Sequence, residues 1–162
     1  MFGTAMMMLA QVVAPESLMP TGNWTLDDQA GCTLSRPYSS SAGPVTFAAI
    51  PPAGAAEGKL VLVMPGRVDR YEVDEGTVTL NADGATFPTV WSRVAQRGRG
   101  YTGVTVRPGE GFWNALPDAK RLTMDVSRFR RVTFEVGAMG SVAAALNACR
   151  AEKLAALPAK RR

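Results

Sequence analysis

From Gly22 onward, apolar positions recur at every second residue in short runs bounded by Gly, Pro, Asn and Asp. That is the pattern of half-buried antiparallel strands. Strands are predicted over Asn23–Leu26, Cys32–Arg36, Val45–Ile50, Lys59–Met64, Val68–Val73, Thr77–Leu80, Thr86–Ser92 and Tyr101–Val106. The clearest unit is the hairpin Arg121–Val136. Leu122, Met124 and Val126 alternate with Thr123 and Asp125; after a joint at Ser127–Phe129, Val132, Phe134 and Val136 alternate with Thr133 and Glu135. One face of such a hairpin meets a core and the other meets water. Helical spacing is sustained only over Ser141–Leu157, where Val142, Leu146 and Cys149 share a face, Ser141 is a candidate cap and Pro158 follows. Gly109–Ala115 reads as a short turn closed by Pro117. The expected fold is mainly β (α+β): an antiparallel β-sandwich or partly open barrel with one C-terminal helix. Residues 21–157 form a single domain in this reading, and 158–162 a basic tail.

The length of 162 residues suits one domain, and 46% hydrophobic with 20% charged residues excludes a disordered chain. No run of about twenty apolar residues is present to form a transmembrane helix. Charge is uneven along the chain. Residues 1–92 carry four Lys/Arg against nine Asp/Glu, and residues 93–162 carry fourteen against five. A basic half can attract nucleic acid, acidic lipid or an acidic protein, although no binding motif accompanies it, and the plainer reading is a dipolar solvated surface.

Histidine is absent altogether. Its absence removes the commonest general base, the commonest zinc ligand and every Ser-His or Cys-His pair. Two cysteines alone make a poor zinc site, and no cofactor is expected. Met1–Ala10 is an uncharged apolar run that resembles a signal-peptide core, with cleavage expected after Ala10. Residues 1–20 are therefore read as a signal-peptide remnant or flexible segment, the alternative being a first strand that packs on the domain. In an oxidising compartment Cys32 and Cys149 would pair as a disulfide; in a cytoplasmic protein they would be buried thiols.

Three groups could carry chemistry. Gly98-Arg99-Gly100-Tyr101-Thr102-Gly103 matches G-x-G-x-x-G, but the β-run Val104–Val106 follows it where a nucleotide site needs a helix. Asp69, Glu72, Asp74 and Glu75 lie among Arg67 and Arg70, the composition of a charged hairpin tip rather than a catalytic acid pair. Trp91, Arg93, Arg97, Arg99, Tyr101, Arg107, Phe112 and Trp113 form an arginine–aromatic segment. That mixture serves a protein-binding loop or a single-stranded nucleic-acid surface, or else it is two core tryptophans with arginines at the rim.

Gly22-Asn23-Trp24-Thr25-Leu26-Asp27, Cys32-Thr33-Leu34-Ser35-Arg36-Pro37-Tyr38 and the approach from Phe134 to Cys149 resemble a group of uncharacterised exported proteins of alphaproteobacteria. The resemblance implies an envelope location, periplasmic or secreted, and a Cys32–Cys149 bridge. It implies no catalytic residues. Together these readings point to a non-enzymatic periplasmic or cell-envelope module acting through contacts with a protein partner. An enzyme using carboxylates and arginines is the alternative. A basic nucleic-acid-binding domain is the third reading, with nucleic acid the least accessible partner for an exported protein.

Overall fold

The computed structural model describes residues 15–29, 31–53, 57–66, 76–96, 100–126, 130–137 and 139–156, with side chains at all of these except 76, 88–93, 95, 96 and 140. The described chain is mostly strand: β1 Glu16–Pro20, β2 Thr25–Asp27, β3 Thr33–Ser40, β4 Gly43–Ile50, β5 Lys59–Pro65, β6 Gly76–Ala82, β7 Ala85–Gln96, β8 Tyr101–Val106, β9 Arg121–Val126 and β10 Arg130–Glu135. Helix α1 spans Glu110–Ala115, a 3-10 turn follows at Leu116–Asp118, and α2 spans Gly140–Ala155. Of the two architectures expected from the pattern, the chain adopts the curled, partly open barrel. The predicted strand at Val68–Val73 lies outside the described residues.

The ladders run β10-β9-β6-β7-β8-β5-β4-β3 in one direction around the curl. The first strand joins its two ends. Glu16, Ser17 and Leu18 of β1 lie parallel to Val132, Thr133 and Phe134 of β10. Met19 and Pro20 then pair antiparallel with Ser39 and Tyr38 of β3. Among the described residues the sheet thus begins at Glu16. The physical reason is Leu18, which is wholly buried and anchors the strand to the core.

Strand alternation fills the inside. Register places Phe47 between Arg36 and Leu62, Leu62 opposite Val104, and Val104 opposite Val94. On the other arc Leu80 faces Met124, Met124 faces Val132, and Leu122 faces Phe134. These side chains form one buried cluster, in which Tyr38, Phe47 and Phe134 meet with ring centroids 5.1 Å apart. Edge-on and tilted contacts of this kind add about 0.5–1.5 kcal/mol each beyond the area buried.

Arg36 is the exception on the inward face. It shares the parity of Leu34 and Tyr38 yet carries a charge, and a half-buried cation needs partners. Its Nε donates to the Gly22 carbonyl at 2.9 Å and its Nη1 to the Val136 carbonyl at 2.8 Å. The guanidinium carbon also lies 5.6 Å from the Trp24 ring centre and 5.9 Å from that of Tyr38. Trp24 Nε1 donates to the same Val136 carbonyl at 3.3 Å. One carbonyl therefore ties the end of β10 to two points near the start of the chain.

The chain between β8 and β9 folds back over one end of the barrel, setting Phe112, Leu116 and Ala119 into the core. The sequence reading expected only a turn here; Phe112 at 1% exposure, against Phe87 at 5.5 Å, is what holds the turn as a helix. Helix α2 starts at Gly140 with Met139 as its N-cap and no side-chain cap, so Ser141 does not serve that role. Instead Val142 N–H donates to the Met139 carbonyl, and Met139 is itself buried. Cys149 on α2 is bonded to Cys32, with Cα atoms 5.9 Å apart. Gly31 and Cys32 both have left-handed backbone (φ 80° and 61°), which turns the chain sharply before β3 and brings Cys32 beneath the helix.

Two outcomes follow from this packing. The disulfide spans 117 positions, so replacing both cysteines by serine should cost about 4–5 kcal/mol in the chain-entropy treatment. Urea unfolding of the double variant and of the reduced wild type should agree; a loss below 1 kcal/mol would show that α2 is held by packing alone. The Tyr38 hydroxyl donates to the Glu135 carbonyl at 3.3 Å, and burial, partly opposed by Arg36, pushes its pKa from 10.0 up to about 12. A raised folded-state pKa favours the neutral phenol. Its stabilising contribution is complete below pH 10 and disappears as pH rises towards 12. Tyr38→Phe should flatten this alkaline limb in urea midpoints measured from pH 9 to 12, whereas an unchanged slope would assign the limb to other groups.

Candidate functional site

Strand β8 separates the arginine–aromatic segment into two regions. Tyr101 opens the strand, and Arg107 follows its last residue. At about 3.3 Å per residue the two stand roughly 20 Å apart. Tyr101 is 36% exposed at the end remote from the helices. Phe112 is a core residue. Arg107 and Trp113 meet at the helix-capped end. The side chains of Trp91 and Arg93 and the whole of Arg97 and Arg99 lie outside the described residues, as do Asp69, Glu72, Asp74 and Glu75. The G-x-G-x-x-G match places Gly100 in a left-handed turn (φ 77°) and Gly103 inside β8, so the glycines feed a strand.

Arg107 and Trp113 border a cleft of about 720 Å³, with Pro52, Glu57, Asn114 and Arg150 on its other sides. Three segments build it. Helix α1 presents Glu110, Trp113 and Asn114, residues spaced three and four apart and so on one face. Pro52, Glu57 and Gly58 supply the opposite wall. Helix α2 contributes Arg150, adjacent to the disulfide-bonded Cys149.

The floor is set by close contact. Trp113 Nε1 donates to the Pro108 carbonyl at 3.2 Å, and Trp113 stacks edge-on against Phe112 at 5.6 Å. Held in that position, the indole leaves no room for a side chain at 58. A Cβ on Gly58 would lie 2.6 Å from Trp113 Cε2 and 2.6 Å from Pro52 Cδ. Trp113 is partly buried in this way, and it borders the cleft.

The charges are mixed. Arg107 Nε lies 3.5 Å from Glu57 Oε2 with both side chains well exposed, an arrangement worth about 0–1 kcal/mol. Arg150 Nη2 donates to the Pro52 carbonyl, linking α2 to the opposite wall. Its Nε is shut away from solvent and has no hydrogen-bond acceptor among the described residues. Glu110 adds a second carboxylate at the rim. Elsewhere, Asp83 accepts the N–H groups of Lys120 and Arg121 at 2.9 and 2.8 Å, and these bonds hold its pKa below the usual value. It lines a smaller cleft of about 460 Å³ with Asn81, Arg121, Thr123 and Thr133. Asp125 is turned towards Arg131 at 3.8 Å. Among the described residues no three of Cys, Asp and Glu converge on a point that could hold a metal ion.

Sequence reasoning picked out Arg107 and Trp113 but not Pro52, Glu57, Gly58, Asn114 or Arg150 as their neighbours. The spacing of Glu110, Trp113 and Asn114 was a usable signal, but only had the segment been read as helix. Nothing local pairs Arg150 with Pro52, 98 positions away.

The packing at Gly58 generates a test. Gly58→Ala should destabilise the fold by about 1–3 kcal/mol through overpacking and displace the Trp113 ring. Urea unfolding and the indole N–H resonance of Trp113 would report both effects; an unshifted resonance with unchanged stability would mean the ring is not pinned there. No protein-family model matches the chain, and no curated protein or solved structure matches it either, so the residues of the cleft themselves carry the functional reading.

Proposed function

We propose that the protein is a non-enzymatic binding module of the cell envelope, periplasmic or secreted, that takes a segment of a partner protein into the cleft bordered by Pro52, Glu57, Gly58, α1 and α2. The observation that carries this reading is the Trp113 ring set between Arg107, Arg150, Glu57 and Glu110. Tryptophan and arginine in a partly closed recess are the usual energetic centre of a protein interface, with charged groups at the rim. The Cys32–Cys149 bond supports an oxidising compartment, since such bonds persist there and are rare in the cytosol. The resemblance to exported alphaproteobacterial proteins points the same way. Among the described residues, no helix is long and apolar enough to cross a membrane.

The alternative readings draw less support from the same geometry. An acid–base enzyme needs one carboxyl group pushed up in pKa near a second. Here Glu57 is directed at Arg107. A nucleic-acid surface needs cations and rings in one continuous track. Tyr101 and Arg107 stand at opposite ends of β8, and two glutamates border the cleft.

Site-specific photo-crosslinking tests the proposal. A benzophenone side chain at Asn114, exposed beside the cleft, should yield a discrete adduct with one envelope protein. The same group at Thr46, exposed on β4, should not. Arg107→Glu should abolish the Asn114 adduct while leaving the melting temperature unchanged. Equal labelling from both positions, or an adduct indifferent to Arg107→Glu, would refute it.

A further inference from the structure

The two arcs of the curled sheet turn different surfaces outward. On β9 and β10 the outward residues include Arg121, Asp125, Arg131 and Glu135. On β3, β4 and β8 no outward residue is charged, and on β5 only Lys59, the first residue of the strand, is. The two large apolar side chains left exposed among the described residues, Met19 at 57% and Tyr101 at 36%, both belong to this neutral arc. Met19 pairs with Ser39, an outward residue of β3, and Tyr101 pairs with Pro65, an outward residue of β5. They stand at the two margins of the arc. Between the margins the outward side chains are smaller, with Thr46 opposite Val63 and Ala48 opposite Val61.

We propose that this arc is a dimerisation face, stacked on the same arc of a second copy of the chain about a two-fold axis that runs along the strands between β4 and β5. Under that symmetry β4 lies on β5 of the other copy and β3 lies on β8. Thr46 then meets Val63, Ala48 meets Val61, and Tyr101 lies over Ser39 beside Met19, each contact being made twice. Small side chains along the middle let two convex sheets approach, and the long ones at the margins fill the space where they curve apart. Thioether and aromatic ring are a favourable pair for that place. Charge selects a second copy. Covering the neutral arc with itself takes no ionised group out of water at its centre, whereas the β9–β10 arc would bring four. Four strands about 4.8 Å apart and about 25 Å long present roughly 500 Å² per copy, so two copies bury about 1,000 Å². That is the lower limit of a specific interface and fits a weak, concentration-dependent dimer.

Sedimentation equilibrium of the disulfide-bonded protein, from about 10 µM to about 1 mM, tests the proposal. The mass should climb from that of one chain towards that of two. Salt raised from about 50 to about 500 mM should leave the affinity unchanged or strengthen it, since the interface holds no ion pair. Thr46→Glu, at an exposed position, should weaken association at least about tenfold without lowering the melting temperature. Arg107→Glu, in the cleft, should leave association as it is, so this face and the cleft stand or fall separately. A benzophenone at Thr46 in the concentrated pure protein should link two identical chains, a product distinct in mass from the adduct sought at Asn114. A one-chain mass throughout, association weakened by salt, or a dimer indifferent to Thr46→Glu overturns the proposal. So does capture of a different protein at Thr46 in place of a second copy.

Discussion

A curled sheet that stops short of closure leaves two edges, each with a row of N–H and C=O groups that must find partners. In this chain those edges are β10 and β3; a five-residue strand reaches both, and β2 pairs the other half of β3, Thr25–Asp27 lying opposite Thr33–Ser35. Glu16–Leu18 covers β10, and Met19–Pro20 crosses to β3. The seam is short, so it depends on support from either side. Leu18 supplies it from within the core, and Pro20 ends the strand beside Tyr38. Near the seam Arg36 gathers Gly22, Val136, Trp24 and Tyr38 around one guanidinium, and Trp24 shares its acceptor. Removing a partner from a half-buried cation costs more than the bond itself contributes, so this cluster holds as a unit.

The helix-capped end follows from that closure. Once β10 is fixed through the Val136 carbonyl, Gly137 N–H bonds to the Lys120 carbonyl and Met139 N–H to that of Pro117, which sets the start of α2 against the 3-10 turn. Helix α2 has few buried side chains of its own, mainly Leu146 and Cys149. Its attachment relies on the bond to Cys32 and on Arg150 reaching Pro52. The cleft is bounded by elements from three distant parts of the chain, and one of them, α2, is tied covalently through Cys149 to Cys32 at the start of β3. Stability and the candidate site are thus coupled at adjacent residues, Cys149 and Arg150.

Three arginines of the basic half stand beside carboxylates. Arg121 faces Glu135 at 3.7 Å, Arg131 faces Asp125 at 3.8 Å, and Arg130 reaches back to Glu16 at 3.6 Å. Such solvent-accessible pairs contribute little energy, but they set each of these three arginines beside a carboxylate.

Much of the architecture was legible in the sequence because it rests on local rules. Period-two alternation located most described strands, including both arms of the Arg121–Val136 hairpin, since one residue of slip would expose every apolar side chain. The absence of histidine and the pair of cysteines were equally plain. Three features needed the tertiary structure. Strand β1 is too short to announce itself, and only the burial of Leu18 against Phe134 makes it part of the sheet. Helix α1 lacks the length to form alone and is held by Phe112 in the core. The arginine–aromatic segment looked continuous along the chain, yet an extended strand carries Tyr101 and Arg107 to opposite ends of the barrel. In their place the fold brought Arg107 and Trp113 together with Glu57 and Arg150. Contacts across 50 to 100 residues depend on how strands are ordered around the curl, and no periodicity within one segment records that order.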